Sequence, residues 1–104
     1  ILFNLNGQQY MALNGGPEFQ FNESVSLMVN CDTQDELDYF WKELSADGEE
    51  GPCGWLKDKF GLSWQIVPKI LAELLSDHQK SEKVMRVLLQ MKKLDIAKLK
   101  AAAE

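Results

Sequence analysis

The chain has 104 residues and a mass of 11.8 kDa, which suits one compact domain. Its hydrophobic (45%) and charged (26%) fractions are those of globular proteins, and no apolar run reaches the ~20 residues that span a bilayer. A net charge of −5 disfavours contact with nucleic acid or anionic lipid. No export signal precedes the first strand-like residues, so we expect a cytoplasmic protein with neither nucleic acid nor membrane as partner.

A β-hairpin is predicted first, around Asn6-Gly7. This dipeptide accepts the positive φ angles of a type I′ turn, and strand-like residues lie on both sides of it. A two-residue turn places Phe3 opposite Tyr10. Because neither surface of the hairpin is wholly polar, we expect both to be covered.

A connection and a third strand follow the hairpin. Asn14-Gly15-Gly16-Pro17 ends the strand pattern, and we expect Phe19 and Phe21 of the connection to be anchored. Apolar and more polar residues then alternate from Ser24 to Val29, which predicts a strand with Ser24, Ser26 and Met28 on its less apolar side.

A helix is predicted to begin at Thr33, where Thr33 and Glu36 have the spacing of a capping box. Four apolar side chains then recur at helical spacing and would cover one face of a sheet. They are Leu37, Phe40, Trp41 and Leu44.

A second hairpin is predicted around a four-residue connection, Asp58 to Gly61. If Trp55 lies opposite Trp64, both rings and Ile66 face the helix, and Ser63 and Gln65 occupy the opposite face. The acidic loop that precedes this hairpin, residues 47–52, is expected to be solvated.

Helices are predicted for the remainder of the chain. Pro68 suits the first position of a short helix, Ser81 or a neighbour can cap the next, and Asp95 can cap the last. The end of the chain, residues 101–104, is expected to fray. His78 is expected to be exposed, because it has no spaced partner that could bind a metal.

The cysteines, Cys31 and Cys53, are too few for a disulfide scaffold and lack metal-ligand spacing. We expect both to be reduced and to serve ordinary packing, because a reactive thiolate needs a nearby cation, base or helix N-terminus. The helix start at Thr33 lies close to Cys31, but no base is paired with it.

Three stretches of the sequence resemble the PhnB-like family: residues 10–17, 29–36 and, most specifically, 53–68. The likeness continues through residues 91–96. This family is often labelled 3-demethylubiquinone-9 3-methyltransferase domain and belongs to the glyoxalase/bleomycin-resistance, or vicinal oxygen chelate, superfamily. The resemblance implies an α+β fold in which βαβββ modules form curved mixed sheets around a pocket, usually in a homodimer.

The resemblance also implies a division of the chain, which we treat as a single domain over residues 1–104. Residues 1–16 resemble the last hairpin of module one, residues 24–67 resemble module two, and residues 68–104 are the C-terminal helices. The first strand and helix of module one have no counterpart in this sequence. Either upstream residues supply them or a partner chain completes the sheet.

The resemblance assigns three positions that hold a metal ion in metal-dependent relatives: Met11, Ser24 and Gln65. A thioether, a hydroxyl and an amide are poor ligands for a divalent cation, so we expect no metal and no cofactor. Converging amides and hydroxyls on an apolar wall instead favour a small-molecule pocket. The candidate pocket residues are Asn4, Gln9, Met11, Ser24, Ser26, Ser63 and Gln65.

Three functions are compatible with this sequence. The first is a metal-independent, homodimeric protein that binds a small molecule. The second is an enzyme, either a metal-assisted lyase, isomerase or dioxygenase of the superfamily or the methyltransferase that the family label implies. No Gly-rich loop leads from a strand into a helix to cradle a nucleotide-like cofactor, which gives the methyltransferase no support from the residues. The third is a dimerisation module with a vestigial pocket.

Overall fold

Six strands and four helices make up the computed structural model, which describes all 104 residues. The strands form a two-stranded sheet, β1-β2, and a four-stranded mixed sheet in the order β3-β6-β5-β4. The predicted α+β fold is therefore confirmed. The elements are β1 (Leu2–Leu5), β2 (Gln8–Met11), β3 (Ser26–Cys31), α1 (Gln34–Ser45), β4 (Glu49–Glu50), β5 (Trp55–Lys57), β6 (Ser63–Pro68), α2 (Ile70–Ser76), α3 (His78–Leu88) and α4 (Ile96–Ala102).

The first hairpin has the predicted register. Phe3 pairs with Tyr10, and their rings stack with centroids 5.6 Å apart. Positive φ angles at Asn6 (50°) and Gly7 (81°) match the expected turn. The prediction that both surfaces are covered is wrong within this chain, because β1 and β2 pair only with each other and leave apolar side chains such as Met11 70% exposed.

The four-stranded sheet is built around β6, which pairs in parallel with β3 and antiparallel with β5. Helix α1 covers one face of this sheet. Its N-terminus is capped as predicted, since the Thr33 hydroxyl accepts a hydrogen bond of 3.1 Å from the Glu36 N–H. Leu37 and Trp41 of the predicted stripe are buried against the sheet, and the remaining stripe residues are half-buried.

The predicted register of the second hairpin is wrong by one residue. Trp55 pairs with Gln65, and Leu56 pairs with Trp64. Strand alternation therefore places Leu56, Trp64 and Ile66 on the face that packs on α1 and moves Trp55 to the opposite face. Leu56 and Ile66 are accordingly buried, whereas Trp55 is half-buried.

The helix boundaries in the C-terminal part differ from the predicted ones. Pro68 ends strand β6, and α2 begins at Ile70. Asp77, rather than Ser81, caps α3 by accepting a hydrogen bond from the Gln79 N–H. The predicted Asp95 cap of α4 is confirmed.

Two further expectations about exposed segments are wrong. The end of the chain does not fray, because Ala103 packs into the core and is only 5% exposed. Phe19 and Phe21 are not anchored within this chain, since both rings are largely exposed. His78 is exposed as predicted, although it is the first residue of α3 rather than part of a connection. No helix has the length and apolar character needed to cross a bilayer.

The two thiols lie in different surroundings. Cys31 is fully buried in the core, and this burial, with the nearby Glu36 and Asp32 carboxylates, raises the pKa of its thiol to about 11. Cys53 is only half-buried, and both cysteines are free. A high pKa and full burial together suppress the thiolate, which is the reactive form.

We therefore expect iodoacetamide to alkylate Cys31 of the folded protein much more slowly than Cys53, because Cys31 is fully buried and each unit by which its pKa is raised lowers its thiolate fraction about tenfold. Peptide mapping by mass spectrometry over time measures the two rates. In denaturant the two rates should converge. Equal rates in the folded protein would contradict the described burial of Cys31.

Candidate functional site

The sheet face opposite α1 carries a row of polar side chains from two neighbouring strands. Ser26 of β3 and Ser63 of β6 are paired in the parallel register. Gln65 lies two residues further along β6 on the same face, and its Nε2 donates a hydrogen bond of 3.0 Å to the Ser26 hydroxyl. Three of the predicted pocket residues are thus brought together.

The Ser63 hydroxyl has no hydrogen-bond partner. Its residue is 1% exposed, and the Oγ atom is itself buried. A buried hydroxyl without a partner costs about 1–3 kcal/mol. Such a group in a folded protein calls for an explanation, and an unfilled place for a ligand atom is one.

Ser63 also lines a cleft with a volume of about 220 Å³. Trp55 and Lys57 of β5 contribute to its wall, and the two residues of β4 line it from the next strand. Glu23, from the connection that precedes β3, also lines the cleft. The lining residues are Glu23, Glu49, Glu50, Gly51, Pro52, Trp55, Leu56, Lys57 and Ser63.

An ion pair joins the preceding connection to the sheet at this cleft. The Lys57 ammonium group contacts the Glu23 carboxylate and donates a hydrogen bond to it. This hydrogen bond lowers the pKa of Glu23 and raises the pKa of Lys57, and the nearby Glu49 adds to the second effect. Both groups are therefore charged at neutral pH. Their ion pair attaches the connection before β3 to strand β5.

A larger cavity of about 940 Å³ lies between the first hairpin and the open edge of β3. Strand β3 stands at the end of the sheet order, so one side of its backbone has no strand partner. Tyr10 lines this cavity from the hairpin, Met28 lines it from β3, and Phe40 lines it from α1. A larger share of its lining residues is hydrophobic than at the cleft over Ser63, and fewer of them are charged.

This chain is similar to known proteins in both sequence and structure. The profile of the 3-demethylubiquinone-9 3-methyltransferase family matches residues 1–67, which is more than half of the chain. The chain belongs to this family. A solved structure of a PhnB protein from Bacillus cereus, which carries the same methyltransferase designation, is 34% identical with a TM-score of 0.57. The alignment covers 64% of this chain and 61% of the Bacillus cereus chain, so the chain spans about three fifths of that relative. No curated protein matches the chain.

The resemblance in sequence led us to expect equivalents of metal ligands at Met11, Ser24 and Gln65. The structure does not bring these three side chains together. Ser24 donates a hydrogen bond of 2.5 Å to Asn22 in a turn before β3, and Met11 lies on the separate hairpin. No group of three His, Cys, Asp or Glu side chains is placed to hold a metal ion either. The residues present therefore do not fit a catalytic metal.

The other predicted pocket residues of this PhnB-like chain lie apart from the polar row. Asn4 and Gln9 pair with each other across the first hairpin, and neither lines the larger cavity. Their role in a pocket stays a prediction, as does that of Met11. Only Ser26, Ser63 and Gln65 share one surface of the four-stranded sheet.

Sequence reasoning missed every lining residue of the cleft except Ser63, including Glu23, Glu49, Trp55 and Lys57. Trp55 was assigned to the wrong face because the register of the second hairpin was wrong by one residue. Glu23 comes from an irregular connection, and no pattern in the sequence indicates that it contacts β5. Gly61 at the last position of the hairpin loop was the signal that would have placed Trp55 and Lys57 on the correct face of the sheet.

Proposed function

We propose that this PhnB-like protein binds a small molecule, without a metal ion, on the sheet face opposite α1, and that it does so as a homodimer. The observation that carries the proposal is the buried, unpartnered Ser63 hydroxyl beside the Gln65–Ser26 hydrogen bond. A ligand atom that accepts or donates one hydrogen bond at Ser63 would recover the cost of that unpaired group. Small-molecule sites combine such converging polar groups with apolar and aromatic walls.

The accessible surface of the chain supports the dimer. It measures 7718 Å², whereas a compact monomer of this mass exposes about 5,900 Å². The radius of gyration is 15.5 Å, compared with about 13 Å for a compact domain of this length. The excess is about 1,800 Å² for each chain. Twice this area lies within the range of about 2,000–5,000 Å² that the two chains of an obligate dimer bury in total.

The surface that a second copy would cover consists of the first hairpin and the open edge of β3. Leu2 and Leu5 lie on opposite faces of the hairpin, and both are exposed. An open strand edge and exposed apolar side chains are features that proteins cover by pairing. One second copy could cover both features, because both border the same cavity.

We expect the unaltered chain to have twice the monomer mass in size-exclusion chromatography with light scattering. Leu2→Asp and Leu5→Asp place a charge on each hairpin face in turn, and at least one of them should yield a monomer, because a charge cannot be buried unpaired in the interface. Phe60→Asp changes an apolar side chain that is even more exposed, in the β5–β6 loop, and should leave the dimer intact. A monomeric mass for the unaltered chain would refute the dimer.

For the ligand site, we expect compounds from a small-molecule library to raise the melting temperature equally with and without a metal chelator. Ser63→Ala should stabilise the free protein slightly, because it removes an unpaired buried hydroxyl, yet weaken ligand binding about 2–10-fold. Ser45→Ala, at the end of α1, is the matched control and should not alter binding.

Two results would contradict the proposed ligand site. Binding that Ser63→Ala leaves unchanged places the ligand elsewhere, and binding that chelator abolishes makes it metal-dependent. The bound compound should also be recovered with its original mass. A changed mass would make the protein an enzyme, as the designation of its family suggests.

A further inference from the structure

We propose that the cleft over Ser63 accepts the ammonium group of a small organic cation, which would lie between the Glu49 carboxylate and the Trp55 ring. The proposal rests on the proposed function, because Ser63 belongs to both. It adds the chemical class of the ligand. Three independent features of the cleft support it.

The first feature is an excess of negative charge. Glu23, Glu49 and Glu50 line the cleft against a single cation, Lys57. Lys57 forms an ion pair with Glu23 and also lies near Glu49, its cross-strand partner, but one positive charge balances only one of the three carboxylates. Glu50 accepts a hydrogen bond of 3.1 Å from the indole N–H of Trp41, which leaves Glu49 with no hydrogen bond to its side chain. A positively charged group is what this arrangement attracts.

The second feature is a tryptophan ring in the wall. Trp41 and Trp64 each donate their indole N–H to a carboxylate and pack on the core. Trp55 differs, because it forms no side-chain hydrogen bond and is half-buried at the cleft. A half-buried indole ring that lines a cleft together with carboxylates is suited to bind alkylammonium groups through cation–π attraction.

The third feature is the unpartnered hydroxyl of Ser63. Its residue is 1% exposed and lies on the same sheet face as Trp55 and Lys57, since Lys57 is its antiparallel partner. An ammonium N–H would supply the missing donor to this oxygen. The unpaired hydroxyl is an observation independent of the acidic residues, and a polar ligand atom is one partner that would satisfy it.

The size and ligand set of the cleft favour an organic cation over a metal ion. A volume of about 220 Å³ equals the space of about seven water molecules, which matches a short alkylamine rather than one bare ion. The carboxylates are also not placed to coordinate a metal together. Because the cleft is acidic, calcium is nevertheless tested as a competing occupant.

The experiment uses n-butylammonium and n-propylammonium chloride as probes and neutral alcohols of the same chain length as controls, at constant ionic strength. Titrations are followed by NMR at the Trp55 indole N–H and the Ser63 amide. Both signals should shift with the ammonium probes and not with the alcohols. Glu49→Gln and Trp55→Leu should each weaken binding about 5–10-fold. Glu43→Gln, the same change on the exposed side of α1, should leave the affinity unaltered.

The outcomes separate this inference from the proposed function. If neutral or anionic library compounds bind at Ser63 while the ammonium probes do not, the ligand class is wrong and the proposed function stands. Preferential binding of calcium, or ammonium binding that Glu49→Gln does not weaken, also overturns the inference. If no compound of any charge binds near Ser63, both proposals are wrong.

Discussion

Replacing Gly48 with alanine is expected to lower the free energy of unfolding by about 3 kcal/mol. A Cβ atom at this position would lie 2.1 Å from the carbonyl oxygen of Lys57 and 2.8 Å from the carbonyl carbon of Asp58. Both contacts are with backbone, so no side chain can move aside to relieve them. The chain must instead separate at β4–β5, where Glu49 pairs with Lys57. The same movement would disturb the acidic wall of the cleft.

Gly15→Ala is the matched control for this variant. No atom lies within 4 Å of a Cβ at Gly15, and its φ angle is not in the left-handed region. Its stability should equal that of the unaltered chain or exceed it slightly, because alanine restricts the unfolded state. Urea denaturation of both variants gives the comparison. Equal midpoints would show that β5 does not approach Gly48 as closely as described.

Replacing Asp58 with alanine is expected to cost about 3 kcal/mol as well, because three donors lose one acceptor group. One carboxylate oxygen accepts hydrogen bonds from the Phe60 N–H (2.9 Å) and the Leu62 N–H (3.0 Å). The other accepts from the indole N–H of Trp64 at 2.9 Å. The half-buried carboxylate thus fixes both the loop between β5 and β6 and one ring of the core.

Asp77→Ala tests whether this loss is specific to the network. Asp77 is exposed and caps α3 through a single hydrogen bond from Gln79, so its removal should cost about 1 kcal/mol. Guanidinium denaturation measures both variants, and tryptophan fluorescence should change only for Asp58→Ala. If the two variants lose the same stability, the bonds to Asp58 are not formed together in solution.

The helix α1 could be predicted in detail because its signals are local. The Thr33 cap, the Glu36 partner and the apolar spacing all lie within one short window, and each agrees with the others. The first hairpin was equally local, since a dipeptide fixes its turn and the turn fixes its register. Turn residues, strand alternation and helical spacing predicted the order of the remaining elements, and the family resemblance supplied their grouping into modules.

The second hairpin shows where local reasoning failed. The Asp58 N–H donates to the Leu62 carbonyl oxygen, and Gly61 adopts a φ of 88°, so three residues rather than four form the loop. One residue of difference moves every side chain of β5 to the other face. Trp55 therefore lines the cleft instead of the predicted core, and the predicted register did not indicate that β5 contributes to the candidate site.

The parallel pairing of β3 with β6 has a consequence for the order of folding. Ser26 pairs with Ser63, and residues 27–62 lie between them. Closing this long loop lowers the entropy of the chain before the contacts between β3 and β6 can form. Helix α1 and the β5–β6 hairpin can form from neighbouring residues, so they are available as a template on which β3 docks late. Substitutions in β3 should accordingly accelerate unfolding more than they slow folding, while those in the β5–β6 loop should do the reverse.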